Sequence, residues 1–473
     1  MKAAVAAFKR APKDWLKRGL RRAVRATAPQ RSGISSGYFG LGHDEGGALT
    51  LASVKLAELS NTWGSPLHVV NAARLRDNAR RFMSAAPACE VFFSYKTNPV
   101  PGVMQELHAL GIGAEVISEY ELWLALKLGV APSKIVYNGP AKSVASIRRA
   151  IELDIALLNL NHREEIPVVA GIAAEMGRRA RVGLRVSLSG WAGQFGTPAA
   201  DGQAHAAFAE ALESPHLDVV GLHVHRGGMM RSEAELTQFI DGVLGFVESL
   251  HERFGLNLGV LDLGGSLGSP SVRGLGSREL RFNRTFLRDL EAPNPSTSPS
   301  IEGYTRSLTE RVSDHYRRQG RAVPRIFLEP GRALASDAQL LLTQVLSLKP
   351  QGETTFAILN AGINLAESCR GEYHEFLPTH ARRNKSTQSY TLVGPICTPG
   401  DTLRWAVTLP ELQIGDTLAV MDAGAYFVPF STAFSFPRPG IVLVDDDGKV
   451  TQLRRSETFD DLVGYDVSLD SRG

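Results

Sequence analysis

The chain reads as an α/β protein: a (β/α)8 TIM barrel followed by a second, all-β C-terminal domain. Three observations predict this. Eight short apolar runs of strand character lie between Val91 and Leu328. Segments with helical periodicity separate them, as in Glu119–Leu128 and Glu233–Leu250. Beyond Leu328 the pattern changes to short β-rich runs divided by turn residues, without helices. Strand–helix alternation repeated eight times suits a parallel barrel with its helices outside.

The barrel strands are expected at Val91–Tyr95, Gly113–Ile117, Lys134–Asn138, Ile155–Asn159, Ala180–Val186, Asp218–Val224, Leu258–Leu263 and Arg325–Leu328. About sixty residues part the last two. They include the Pro/Ser-rich Glu291–Ser300, read as part of an insertion over 270–310 that could serve as a mobile flap. Leu340–Leu348, Thr355–Asn360, Ser389–Gly394, Thr402–Trp405, Thr417–Met421, Gly440–Val444 and Lys449–Leu453 are the strands expected of the second domain. Pro66–Asn71 is a further strand candidate that could extend the barrel at its N-terminal side. The division expected is a basic extension over 1–35, a barrel over 72–335, and a β domain formed by 36–71 and 336–473.

At 473 residues, 43% hydrophobic and 21% charged, the chain has the length and composition of a two-domain globular enzyme. No apolar run approaches the roughly 20 residues of a membrane span. Cys89, Cys369 and Cys397 lack metal-type spacing and are odd in number, which suits a reducing cytoplasm. Residues 1–31 carry ten basic side chains against Asp14 alone. Of the net charge of +3, that arm holds +9, leaving −6 on the remainder. Trp15, Leu16, Leu20 and Val24 fall near helical spacing, so the arm is either a basic amphipathic helix for an anionic surface or acidic partner, or a solvated tail. No apolar signal-peptide core follows it, and no nucleic-acid partner is expected.

Active sites of such barrels lie at the carboxyl ends of the strands, and four strands here end in suggestive residues. Lys96 follows the first, in Phe92-Phe93-Ser94-Tyr95-Lys96-Thr97-Asn98-Pro99; it is either a solvated strand cap or a desolvated amine of lowered pKa, available as a nucleophile. His225 follows the sixth, as a core histidine or as half of a metal pair with His223, for which no further ligand set is evident. Gly264 and Gly265 follow the seventh, as a plain turn or as backbone donors for a phosphate. Glu329 and Arg332 follow the eighth, as loop charges or as an acid and a bidentate phosphate donor. An amine, a phosphate cradle, an acid and a flat imidazole together describe a pyridoxal 5'-phosphate site, with no metal.

With these motifs the chain resembles the alanine-racemase-fold decarboxylases, the group of diaminopimelate, ornithine and arginine-type decarboxylases. The likeness runs from about Trp63 to Pro439, through FFSYKTNP, GLHVHRGG, LDLGGSLG, LEPGR, GPICTPGD and MDAGAYFVPFSTAF. It implies Lys96 as the Schiff-base lysine, His225 stacked on the cofactor ring, and Gly264, Gly265, Arg332 and Tyr426 at its phosphate. It also implies Glu329 at the pyridine nitrogen, and Cys397 as the group that reprotonates Cα in the partner subunit's site. A homodimer with shared active sites follows from that. Read locally, Cys397 is a small residue in a turn and Tyr426 a core aromatic.

Several positions depart from the pattern. Glu115 stands where the family has an Asp-type residue, Glu119-Tyr120 replaces glycines, Gly228 replaces a Ser, and Ser266 a third glycine. Thr398 follows Cys397 where relatives acting on diamino acids carry Asp or Glu, and the substrate-gripping Arg-Pro-x-x-Tyr segment is missing, with Arg370 near its Tyr position. These changes argue against a cationic distal end. The reading expected is decarboxylation of a side-branch amino acid, such as a siderophore or antibiotic precursor, possibly conjugated or carrier-bound. Arg226, Arg231 and Arg370 are candidate anion partners. A lysine-pathway diaminopimelate decarboxylase, a racemase and a non-catalytic regulator are the alternatives. The last two fit less well, because Cys397 and the GPIC motif are not a racemase signature and a regulator would lose Lys96 or Cys397.

Overall fold

The computed structural model describes residues 16, 18–24, 26–27, 33–188, 193–381 and 386–467. Eight parallel strands close on themselves: Cys89–Ser94 (β1), Gly113–Val116 (β2), Ile135–Tyr137 (β3), Leu157–Leu160 (β4), Ala180–Ser187 (β5), Leu217–His223 (β6), Val260–Asp262 (β7) and Arg325–Leu328 (β8). Pairing of β4 with β5 and of β8 with β1 completes the ring. Helices such as Glu119–Lys127, capped by Ser118, and Glu233–Phe254, capped by Ser232, cover its outside. Each begins with two glutamates in its first turn, where the helix dipole favours negative charge.

The barrel interior is built in two layers, because side chains alternate along a strand. Phe92, Val136, Leu157, Val260 and Phe327 pack together as the lower, apolar layer, with the rings of Phe92 and Phe327 4.7 Å apart. Glycines serve the other strands at this level: a Cβ on Gly113 would lie 2.5 Å from the Phe92 ring. Two residues further along each strand the inward positions become Ser94, Glu115, Asn138, Asn159, Arg185, His223, Asp262 and Glu329. One polar side chain per strand therefore faces the carboxyl end of the barrel.

The second sheet is formed by Gln339–Gln351 (β9), Thr354–Leu359 (β10), Phe376–Pro378 (β11), Thr387–Val393 (β12), Thr402–Pro410 (β13), Thr417–Val420 (β14), Gly440–Val444 (β15) and Val450–Arg454 (β16). The strand Leu67–Asn71 does not extend the barrel. It pairs antiparallel with β9 and parallel with β15, and its five residues are all buried, as a central strand requires. The insertion before β8 is not a free flap either. Ser269 and Ser271 donate to Asp422 Oδ1 at 3.0 and 2.7 Å, the Leu275 N–H donates to Gly371 O, Asn283 Nδ2 to Trp405 O, and the Thr408 N–H to Asp289 Oδ2. Bonds to strand β13 and to the loops carrying Gly371 and Asp422 hold it down.

In the basic arm, Leu16 and 18–24 are helical; Trp15 and most of the arm's charges lie outside the described residues. Arg21 donates to Thr285 O at 2.8 Å and pairs with Glu353 at 3.2 Å, so this part of the arm rests on the insertion and the β9–β10 turn. Among the described residues, no helix is long and apolar enough to cross a membrane.

Candidate active site

Six of the eight upper-layer side chains, all but Arg185 and His223, join Lys96 in one hydrogen-bonded network. Lys96 Nζ donates to Glu115 Oε2 and Ser94 Oγ, each at 2.6 Å, and Ser94 Oγ donates to the same carboxylate oxygen at 2.5 Å. Asn138 Nδ2 donates to Glu115 Oε1 at 3.0 Å and to Glu329 Oε1 at 2.5 Å. Asn159 Nδ2 donates to Asn138 Oδ1 and Asp262 Oδ2, both at 2.8 Å. His223 Nε2 lies 3.7 Å from Glu329 Oε2.

The electrostatics follow from burying so many charges together. Burial disfavours charge on Lys96, but Glu115 and Glu329 outweigh it and hold the ammonium above its ordinary range. The expected lowered amine is thus corrected: without a bound cofactor the lysine is ion-paired, not neutral. Burial, then Asp262 and Glu115, push Glu329 well above the usual carboxylate range. Burial also raises Asp262 to about 6 and lowers His225 to about 3, with the Lys96 charge adding to the shift on His225. Arg185 joins the layer, its charge opposed by burial and favoured by Glu329, Glu115 and Asp262.

The phosphate-type loops sit beside this layer. The Gly265 N–H donates to His225 Nδ1 at 3.2 Å, and Tyr304 Oη donates to the Gly265 carbonyl. Gly264 has φ +62°, and a Cβ there would lie 2.3 Å from His225 Nδ1; one on Gly265 would lie 2.4 Å from Glu329 O. Gly227 and Gly228, both at positive φ, have open space before them. The buried Ser266 hydroxyl has no partner among the described residues. The N–H groups of Gly264 and Gly265 are taken, by Asp262 Oδ1 and His225 Nδ1, and what the cradle offers a phosphate is close approach to its glycines and the unpaired Ser266 hydroxyl.

Other expected residues are placed differently. Arg332 reaches the mouth, its guanidinium 4.5 Å from the Tyr426 ring centre, but its fork is filled by Glu372 at 2.8 and 2.7 Å. A bidentate carboxylate satisfies the geometry expected for a phosphate. Burial opposes charge on Glu372, yet His374 and Arg332 hold it at about 2. Tyr426 is brought in with φ +67°, its N–H bonded to Thr97 O next to Lys96. Arg370 is exposed and pairs with Glu367 at 3.0 Å, Arg226 pairs with Glu235 at 3.2 Å, and Arg231 donates to Val272 O at 2.7 Å. Arg226 and Arg370 are thus paired with carboxylates, while Arg231 is held by a carbonyl instead. Cys397 is exposed and Thr398 half-buried, on a turn tied by Asp401 to the Ile363 and Ile396 N–H groups. His223, His225 and Glu329 converge, offering ligand atoms within 4.8 Å of one another, a third partner that spacing did not show. The neighbouring Lys96 ammonium, which adds to the lowering of both imidazoles by burial, opposes a cation there.

Residues 72–336 match the family described as pyridoxal-dependent decarboxylase, pyridoxal binding domain. This chain belongs to that family. It is a pyridoxal phosphate-dependent amino-acid decarboxylase, a carboxy-lyase, and its barrel is the cofactor-binding unit. It is 30% identical to the diaminopimelate decarboxylase of Aquifex aeolicus, across 88% of this chain and 95% of the relative. The corresponding enzyme of Pseudomonas aeruginosa is 32% identical, with 86% and 94% covered. The crystal structure of diaminopimelate decarboxylase from M. jannaschii in complex with L-lysine matches with a TM-score of 0.80 at 25% identity, covering 90% of this chain and 98% of that one.

Gly264 gives this site a sharp test. Alanine there meets both a left-handed backbone and the His225 ring, a strain of roughly 1–3 kcal/mol. Gly264→Ala is expected to weaken pyridoxal phosphate binding about 10- to 100-fold, measured by fluorescence titration of the cofactor-free protein.

Sequence reading missed Asn138, Asn159, Arg185, Asp262 and Glu372, and treated Glu115 only as a departure. The first four were within reach of one signal: each stands two residues beyond an inward residue of the lower layer, or of its glycines, on its own strand. Glu372 had none, because it reaches Arg332 from a loop of the other domain.

Proposed function

We propose that this chain removes an α-carboxylate from diaminopimelate. The observation that carries the reading is likeness to diaminopimelate decarboxylases over nearly their whole length. The Arg332–Glu372 pair supports it by offering one charge of each sign at the barrel mouth. The far end of diaminopimelate carries an ammonium and a carboxylate, each of which finds its opposite there. Glu372 also supplies an acid that Thr398 does not.

In this reading Lys96, His225, Gly264, Gly265, Glu329 and Tyr426 hold the cofactor, and Arg332 serves at its phosphate or at the substrate's distal carboxylate. When bound, pyridoxal phosphate supplies the electron sink for the pair left at Cα as carbon dioxide departs. Glu115 Oε2, 2.6 Å from Lys96 Nζ, is placed to take the proton that the amine must lose before it can react. Glu329 would face the cofactor with its buried carboxyl and His225 would flank it with its imidazole. Cys397 of a second copy returns the proton to Cα, so the enzyme is a two-fold homodimer. The division into a barrel over 72–335, a β unit of 36–71 with 336–473, and a basic extension over 1–35 belongs to the same reading.

Steady-state kinetics test the substrate. A kcat/KM for diaminopimelate of about 10⁴ M⁻¹s⁻¹ or more is expected, and Glu372→Gln should raise KM about 30-fold or more, for loss of a buried charge partner worth about 2–5 kcal/mol. A second reading rests on the uncharged Thr398: a side-branch amino acid, conjugated or carrier-bound, whose distal end is not cationic. Turnover of diaminopimelate far below that range would favour it.

A further inference from the structure

We propose that Asn138 is a positioning residue for the reaction: its side-chain amide ties the counter-ion of Lys96 to Glu329 and sets both carboxylates relative to the cofactor. The orientation of the amide leaves no choice. Both neighbours of Nδ2 are carboxyl oxygens, Glu115 at 3.0 Å and Glu329 at 2.5 Å, and Glu115, ionised beside Lys96, can only accept. Oδ1 meets Asn159 Nδ2 at 2.8 Å, which can only donate. Asn159 is fixed in turn by its second donation, to Asp262 Oδ2 at 2.8 Å, and Asp262 Oδ1 accepts from the Gly264 N–H at 3.1 Å. One chain of bonds therefore runs from Lys96 through Glu115, Asn138, Asn159 and Asp262 to the glycine loop, with Glu329 as its branch.

The consequence is chemical. Burial, then Asp262 and Glu115, hold Glu329 above the usual carboxylate range, and a donor shared with Glu115 lowers the cost of ionising each. Glu115 must accept a proton from Lys96 and Glu329 must face the cofactor ring, so the two carboxylates need fixed positions at the same time. Asn138 touches neither the amine nor the glycine loop and acts only through these two groups. Its neighbours explain why strand β5 carries Gly183 at this height: a Cβ there would lie 2.2 Å from Asn159 Oδ1.

The inference rests on assigning Lys96 and Glu329 to the cofactor, and not on which amino acid is decarboxylated. Asn138→Leu keeps the branched shape and the number of heavy atoms and removes both donors. The reconstituted variant should bind pyridoxal phosphate, lose about 10- to 100-fold in kcat, and show little change in KM. Without the donor both carboxylates become more basic, so the pH midpoint of the bound cofactor's absorbance should rise by about one unit. A change of fold alone would not move that midpoint in a variant with wild-type thermal unfolding. Asn138→Ser, and Asn159→Leu acting from the other side of the amide, provide the same readouts if Asn138→Leu does not fold. Wild-type kcat and an unmoved or lowered midpoint in any folded variant would overturn the proposal. Borohydride labelling of wild-type protein at a lysine other than Lys96 would instead overturn the assignment beneath it.

Discussion

Lys96→Ala is expected to cut decarboxylation by at least about 10³-fold, since it removes the only amine the site presents to a carbonyl cofactor among the described residues. The neighbouring Lys142 cannot substitute: its side chain is wholly buried, bound to Gly139 O at 2.8 Å and to Glu165 at 3.2 Å. Pyridoxal phosphate should still bind the variant, because the glycine loop and Tyr426 are untouched, but without a covalent link. Borohydride treatment of the wild type followed by peptide mapping should place the pyridoxyl mass on Lys96, and Lys96→Ala should take up none. A label elsewhere, or retained turnover in the variant, would show that the chain's chemistry lies at another lysine. The ion pair with Glu115 adds a second expectation. The amine is held protonated before the cofactor arrives, so covalent attachment should be slow at low pH and quicken as the pair loses its proton.

Cys397→Ala has the second largest expected effect. A positioned proton donor contributes about 10²- to 10⁴-fold, so kcat should fall by that factor while cofactor content stays at the wild-type level. The exposed turn carrying Cys397 lies on the β domain, and its shape is set by Asp401 rather than by the cysteine, so the substitution leaves the fold intact. Mixing Lys96→Ala with Cys397→Ala protein tests whether the site is shared. Hybrid dimers rebuild one intact site, and part of the activity should return. If subunits demonstrably exchange and no activity returns, Cys397 acts in its own chain or not at all.

How much of this was legible in the sequence can be seen strand by strand. Arg325–Leu328 and Gly440–Val444 were expected at the positions where they occur, and most other strands lie within a few residues of expectation, but Phe376–Pro378 was not foreseen and Thr402–Pro410 runs five residues past the expected end. The reason is that hydrophobic runs bounded by turn residues report burial directly, whatever the partner strand is. Leu67–Asn71 shows the limit. Its apolar run identified a strand, but its neighbours, β9 and β15, lie more than 250 residues away in the chain, and nothing local says which sheet will take it. The insertion shows the same limit. Proline and serine predicted its irregular backbone, while the bonds that tie it down come from Asp422, Trp405 and Gly371 in the other domain.

The site divides along the same line. Lys96, His225, Gly264, Gly265 and Glu329 stand at strand ends, and a barrel brings all strand ends together, so topology alone made them neighbours. The chain's sequence therefore determined by itself the fold class, the family and the convergence of these five residues at one end of the barrel. Only the tertiary structure decided the charge of the site. Lys96 is an ammonium because Glu115 faces it across β1 and β2, Arg332 is engaged because Glu372 reaches it from the β domain, and three buried carboxylates share two asparagine amides. Protonation and pairing depend on distances of a few ångströms between residues far apart in the chain, and in a low-dielectric interior those distances outweigh any residue's intrinsic tendency.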